Sequence, residues 1–175
     1  MVPGFALRIQ SMIRAMREVV IPAIPKDQRL ALDQANILVG NLRIMAEQHD
    51  WIVQYELTEL REYAALLADL IAAASEGAAE AIAEGRAVLA QAEPVAATAM
   101  PTQQDLTMLV RDLKAAADAL VQAAHRDGPP EFRRTATDLV MRQAEAQILR
   151  ERRWLRAAGF ELDPASLPSL DELLA

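Results

Sequence analysis

His49 and Glu56 are the two side chains whose types and spacing could do chemistry in this sequence. Both fall in a line of apolar positions, Leu38, Leu42, Met45, Ile52, Leu60, Tyr63, Leu67 and Ala74. At 100° per residue they sit about 20° apart around a helix and roughly 10 Å apart along it, too far for a direct hydrogen bond. Each therefore needs a partner on another helix, a water or a ligand, because an unpaired buried charge is costly. In a polar core pocket His49 would take or give a proton, with Glu56 as its charged complement and Asn41 and Gln48 extending the site. A structural reading stands beside this one. His49 is then a satisfied core histidine, Glu56 pairs with an arginine, and the polar positions fix helix register.

A second cluster is basic: Arg150, Arg152, Arg153 and Arg156, interrupted by Glu151 and Trp154. The spacing places Arg153 and Arg156 on a solvent face and Arg150 nearer an apolar flank. Such a cluster could hold a phosphate, a carboxylate or an acidic partner peptide. It could equally oppose the dipole of a helix C-terminus, with the acidic tail of Glu161, Asp163, Asp171 and Glu172 folded back on it. A ferritin-like di-iron site needs Glu-x-x-His on two helices. Here Ala46 precedes His49 and Gln122 precedes His125 at that spacing, so no metal is expected, and His125 belongs to a polar face with Lys114 and Asp118. Walker, dinucleotide-binding and nucleophile-elbow motifs are absent, and no cofactor is implied.

The elements that would position these residues are all helical. Phe5, Ile9, Met12, Met16 and Val19/Val20 define a first amphipathic helix within 1–24, ended by Pro22 and Pro25. Residues 26–75 contain no proline and one glycine, Gly40, and read as one long helix reaching roughly 75 Å, the alternative being a break near Gln48 to Trp51 that gives two shorter helices in the same bundle. The low-complexity stretch 76–101 holds a minor helix over about 78–92 and a linker from Pro94 to Pro101. Residues 102–158 form a helical hairpin. Its first helix opens at a capping box, Thr102 with Asp105, and carries Leu106, Leu109, Leu113, Ala117, Leu120 and Ala124. Gly128-Pro129-Pro130 punctuates the turn, and the second helix carries Phe132, Val140, Ala144, Ile148 and Leu155 before stopping at Gly159. In the tail, 159–175, Ser169 and Glu172 form another capping box. With no alternating strand pattern, the expected fold is all-α, a single domain over 1–175. It is an antiparallel bundle of four main helices and one minor helix, built around the long one.

Composition narrows the function. The chain of 175 residues is 53% hydrophobic but 4% aromatic, so its apolar content is mostly small aliphatic side chains. A net charge of −7 argues against nucleic-acid binding, which needs a basic face. Without cysteine there is no disulfide or thiol chemistry. No window is apolar enough for a membrane span and no secretory segment opens the chain, which points to a soluble, cytoplasmic protein. The first helix, with Arg8, Arg14 and Arg17, makes only a weak membrane-surface motif.

The stretch Ile21-Pro22-Ala23-Ile24-Pro25-Lys26-Asp27-Gln28-Arg29-Leu30, continued through Asn36 and Leu42 to Ala46 and taken with the helix before it, resembles the start of a small uncharacterised bacterial helical domain. That group shares a short helix, an L-P-A-L-type break and a long helix rich in alanine, asparagine and leucine. Its members are often encoded beside aminoglycoside-phosphotransferase-like kinases and acyl-CoA dehydrogenases. The resemblance covers the first seventy residues and carries no catalytic motif. It implies an accessory role in small-molecule or acyl-CoA metabolism.

Three functions follow from these observations. The first is a non-catalytic interaction or accessory protein, a homodimer through the apolar flank Ile37, Ile44 and Trp51 or a companion to a partner enzyme. The second is a small-molecule binder with its ligand between helices near His49 and Glu56. The third is an enzyme using that pair as acid and base, which lacks a nucleophile and an oxyanion hole and ranks last.

Overall fold

The computed structural model describes residues 3–174, and every side chain in that range except that of Glu76. It is all-α: 81% of it is helical, with no strand among the described residues. The helices are α1 (Phe5–Ala15), α2 (Ile21–Ala23), α3 (Arg29–Gln48), α4 (Ile52–Ala73), α5 (Ala79–Ala96), α6 (Gln103–Asp127), α7 (Pro130–Trp154) and α8 (Leu170–Leu173). Where the sequence reads most simply as one domain, the packing divides into two compact units. One takes the described residues up to Trp51 together with Arg150–Leu173, and the other takes Ile52–Leu149 with Leu174.

In the first unit, α1 packs against α3, and α3 also packs against the 3-10 turn Arg156–Ala158. Pro22 does not end the first helical segment. A π turn over Met16–Val20 carries the Ile21 amide back to the Met16 carbonyl, and Pro22 then sits in the first turn of α2. Proline lacks an amide and its ring crowds the carbonyl four residues back, so a widened turn ahead of it accommodates both defects. The chain leaves helix at Ile24, which is extended, as the residue before Pro25 must be. The core of this unit is small: Ile9, Ala35, Val39, Leu42 and Leu167 are its buried apolar residues.

The single helix expected over 26–75 is broken between Gln48 and Ile52, giving α3 and α4. The expected stripe on its first half is displaced as well. The buried positions of α3 are Ala35, Val39 and Leu42, whereas Leu38 and Met45 stand about half exposed.

The second unit holds most of the apolar core. Helices α4, α5 and α6 pack on one another, and Leu60, Leu67, Leu70, Leu106, Leu113 and Leu120 are fully buried between them. All six positions expected to form the stripe of α6 are buried. Gly85 on α5 lies against Ile71 and Leu67 of α4, where an added Cβ would come 3.1–3.2 Å from their methyl carbons. This helix runs to Ala96 with Pro94 inside it, further than the sequence implied. Pro94 falls in the last turn, and the residue whose carbonyl loses its partner there, Ala90, is exposed to water. On α7 the buried apolar positions are Phe132, Ala136 and Leu139, while Ile148 and, just past the helix end, Leu155, both expected in the stripe, stand more than half exposed.

The capping box at Ser169 is reciprocal, whereas at Thr102 the cap hydroxyl accepts from the helix and donates to the Asp105 carboxylate instead. The Asp105 amide donates to Thr102 Oγ1 at 3.1 Å, and Ser169 and Glu172 exchange backbone-to-side-chain bonds at 2.7 and 3.2 Å. Gly128 caps α6, its amide bonded to the Ala124 carbonyl.

Candidate functional site

His49 ends α3. Its Nδ1–H donates to the Ala46 carbonyl at 2.9 Å, and its Nε2 lies 3.1 Å from Asp50 Oδ1. Ala46 is one of the last-turn residues whose carbonyls have no amide partner inside the helix, so the imidazole satisfies an orphan acceptor at the negative end of the dipole. The Trp51 amide turns back to the Gln48 carbonyl at 2.9 Å, three residues away, which tightens the chain out of α-helix. The ring is largely buried and rests against Phe5, centroid to centroid 5.3 Å. Its neighbour Gln48 caps another helix end: Nε2 donates to the carbonyl of Trp154, the last residue of α7, at 2.9 Å. Asn41 stands exposed on α3.

Glu56 belongs to the other unit and is not brought into hydrogen-bonding contact with His49. Its carboxylate accepts from Thr107 Oγ1 at 2.8 Å and Gln103 Nε2 at 3.3 Å, both on α6. A hydroxyl and an amide, rather than the arginine anticipated, satisfy it.

The arginine cluster is dispersed. Arg150 is 1% exposed. Arg152 grips Glu161 through two bonds of 2.9 and 2.8 Å, so the acidic tail does fold back on the patch at this point. That hydrogen bonding holds the Arg152 guanidinium above its ordinary pKa and the Glu161 carboxyl below its own. Glu172 is also lowered, by the backbone amide of Ser169 and then by its hydroxyl. Arg156 meets Glu47 at 3.3 Å. Arg153, expected on a solvent face, is half-buried, and its Nε is buried without a hydrogen-bond partner.

Two further features stand out, one of which contains the flank Ile37, Ile44 and Trp51 that the sequence offers as an interface and one of which the sequence does not mark as a site. The first is the outer face of α3. Leu30, Ile37 and Ile44 recur at seven-residue spacing, with Trp51 completing the series beyond the helix end and Gln34, Asn41 and Gln48 each four residues on. On a helix Leu30, Ile37 and Ile44 lie roughly 120–180° from the packed row Ala35, Val39 and Leu42. Leu30 is 75% exposed and Ile37 55%, Ile44 and Trp51 are half-buried, and Leu38 and Met45 stand exposed about 100° round the helix toward the packed row. Among the described residues seventeen large apolar side chains stand exposed, and twelve of them belong to the first unit. That unit carries ten basic and ten acidic side chains, so the whole net charge of −7 resides in the second.

The second feature is a cleft between α4, α6 and α7, within the second unit, of about 310 Å³. Its walls are Leu66, Ala117, Val121, Val140 and Ala144. Tyr63 donates its hydroxyl to Gln147 Oε1 at 2.6 Å. Lys114 Nζ stands 4.8 Å above the Tyr63 ring and 3.1 Å from Glu59, which is only 9% exposed. The legible signal was the i,i+4 pairing of Lys114 with Asp118 on α6 and of Gln143 with Gln147 on α7, polar residues recurring beside apolar stripes.

Among the described residues no three His, Cys, Asp or Glu side chains converge as metal ligands would, and no helix is long and apolar enough to cross a membrane. Comparison with known protein families, with curated proteins and with solved structures finds no match.

Proposed function

We propose that this chain is a non-catalytic interaction protein that works as a homodimer, joined through the outer face of α3. The observation that carries the reading is an apolar face repeating every seven residues, exposed at Leu30 and Ile37 and half-buried at Ile44 and Trp51, on a unit without net charge. A unit that buries five apolar side chains and exposes twelve large ones has unspent hydrophobic surface, and contiguous apolar faces mark association sites. The occupant is a second copy, because a seven-residue stripe is self-complementary across a two-fold axis. Charge favours the same choice: two copies meeting by their neutral units avoid the repulsion that two strongly acidic surfaces would set up.

His49 and Gln48 then act in support, closing the ends of α3 and α7 so that the face ends at a fixed place. The resemblance of the first seventy residues to a small bacterial helical domain agrees with an accessory role, beside an enzyme of small-molecule or acyl-CoA metabolism, in the cytoplasm. Substituting Ile37→Asp tests the reading, because a two-fold contact would bury that carboxylate twice without a partner. Sedimentation should change from dimer to monomer while the helical circular dichroism stays constant. An unchanged association state would refute the face.

A further inference from the structure

We propose that the cleft between α4, α6 and α7 binds a small organic cation with an apolar body, such as a protonated aryl-alkyl amine. This goes beyond the self-association reading and does not depend on it.

Shape supplies the apolar half of the recognition. Ala117 and Val121 line it from α6 and Val140 and Ala144 from α7, and the space left open, about 310 Å³, is at the lower end of small-molecule sites. Leu66 closes the α4 side. A ring or short aliphatic chain can shed its hydration against these walls at no polar cost.

Charge decides the sign of the other half. The one cation lining the cleft, Lys114, is already neutralised by Glu59 at 3.1 Å, and its ammonium also covers the face of Tyr63. One turn further along α6, Asp118 lines the same cleft, and the partner its carboxylate holds is the neutral amide of Gln122 at 2.7 Å. Among the described residues no cationic side chain stands within ion-pair distance of Asp118. Gln143, also on the lining, donates to Glu62 at 2.9 Å, placing a further carboxylate beside the cleft. The unit around it carries the chain's full excess of negative charge. An anion entering here would face repulsion without a free cation to meet it. A cation would find the exposed carboxylate of Asp118 at the edge of the apolar cleft, so that its charged end meets Asp118 while its body enters between the helices.

The test compares 4-phenylbutylamine with 4-phenylbutyrate, two probes with the same apolar body and opposite charge, by calorimetric titration of the full chain at low salt. The amine should saturate one site with at least tenfold the affinity of the acid, and added salt should weaken it. Asp118→Asn removes charge from an exposed side chain and leaves the fold intact; it should weaken the amine about tenfold and leave the acid unaffected or slightly improved. Ala144→Leu should fill the cleft and abolish binding of the amine with helicity retained. If Ala144→Leu fails to fold, Asp118→Asn alone decides. The proposal is overturned if the amine shows no saturable binding, if the acid binds as tightly, or if Asp118→Asn leaves the affinity of the amine unchanged.

Discussion

Replacing His49 with alanine separates a helix-capping role from a ligand-binding one, and its cost can be worked from the contacts. The bond from Nδ1 to the Ala46 carbonyl is a part-buried hydrogen bond of 2.9 Å, worth about 1 kcal/mol net. The tilted contact with the ring of Phe5 adds about 0.5 kcal/mol, at the low end because Phe5 is itself half exposed. The sum is about 1.5 kcal/mol. Both tryptophans, Trp51 and Trp154, lie in the first unit, so tryptophan fluorescence reports on that unit alone. With a urea slope of about 1 kcal/mol per M for a unit of this size, the fluorescence midpoint should fall by about 1.5 M. His49→Asn, which keeps a short side-chain donor, should recover part of the loss. A shift below about 0.3 kcal/mol would show that the ring does not hold the end of α3, and the break between α3 and α4 would need another cause.

Other parts of the chain give equally specific expectations. Gly128→Ala would place a Cβ 2.5 Å from the Ala124 carbonyl oxygen, a backbone atom that cannot move aside cheaply, so calorimetric unfolding should show a loss of about 1–3 kcal/mol. Lys114→Met leaves the buried Glu59 carboxylate without its cation; because Lys114 is itself 39% exposed, the expected loss is about 1–2 kcal/mol rather than the larger value for a fully enclosed pair, and Glu59→Leu in the same chain should restore most of it. Acid should loosen the tail: Glu161 and Glu172 have folded pKa values below the ordinary 4.5, so the stability they add is present above pH 4.5 and is lost as pH falls through the lowered values, and limited proteolysis with an acid-active protease should cut within 159–173 only as pH drops below that point.

The parts of the fold that could be read in the sequence are those governed by local chemistry. Thr102 with Asp105, Ser169 with Glu172, and Gly128-Pro129-Pro130 each specify a helix end through bonds or dihedral limits confined to a few residues, and all three act as their sequence implies. The stripe of α6 was legible because one face alone is apolar. Helix α3 carries two apolar faces, so periodicity could not choose between them, and the row through Leu38 and Met45 was taken where Ala35 and Val39 are buried. The break after Gln48 has no proline or glycine to announce it. It arises from a side chain that bonds its own helix end, a competition that spacing does not reveal. Pro22 misled in the opposite sense, since a π turn absorbed it. Periodicity shows the polar pairs on α6 and α7 separately but not that they meet, because the cleft's lining comes from three helices far apart in sequence, and the arginine cluster scatters because partners such as Glu47 and Glu161 are set by packing.

Sedimentation equilibrium of the full chain and of Ile37→Asp, compared across micromolar concentrations, tests the central claim most directly. The intact chain should sediment at twice its 19.2 kDa mass at tens of micromolar, and dilution should reveal dissociation with a constant near micromolar, about −8 kcal/mol. Burying two unpartnered carboxylates should weaken that by about a hundredfold or more, leaving Ile37→Asp a folded monomer. A 19.2 kDa species for the intact chain at tens of micromolar, or a dimer indifferent to Ile37→Asp, would contradict the outer face of α3 as the site of association.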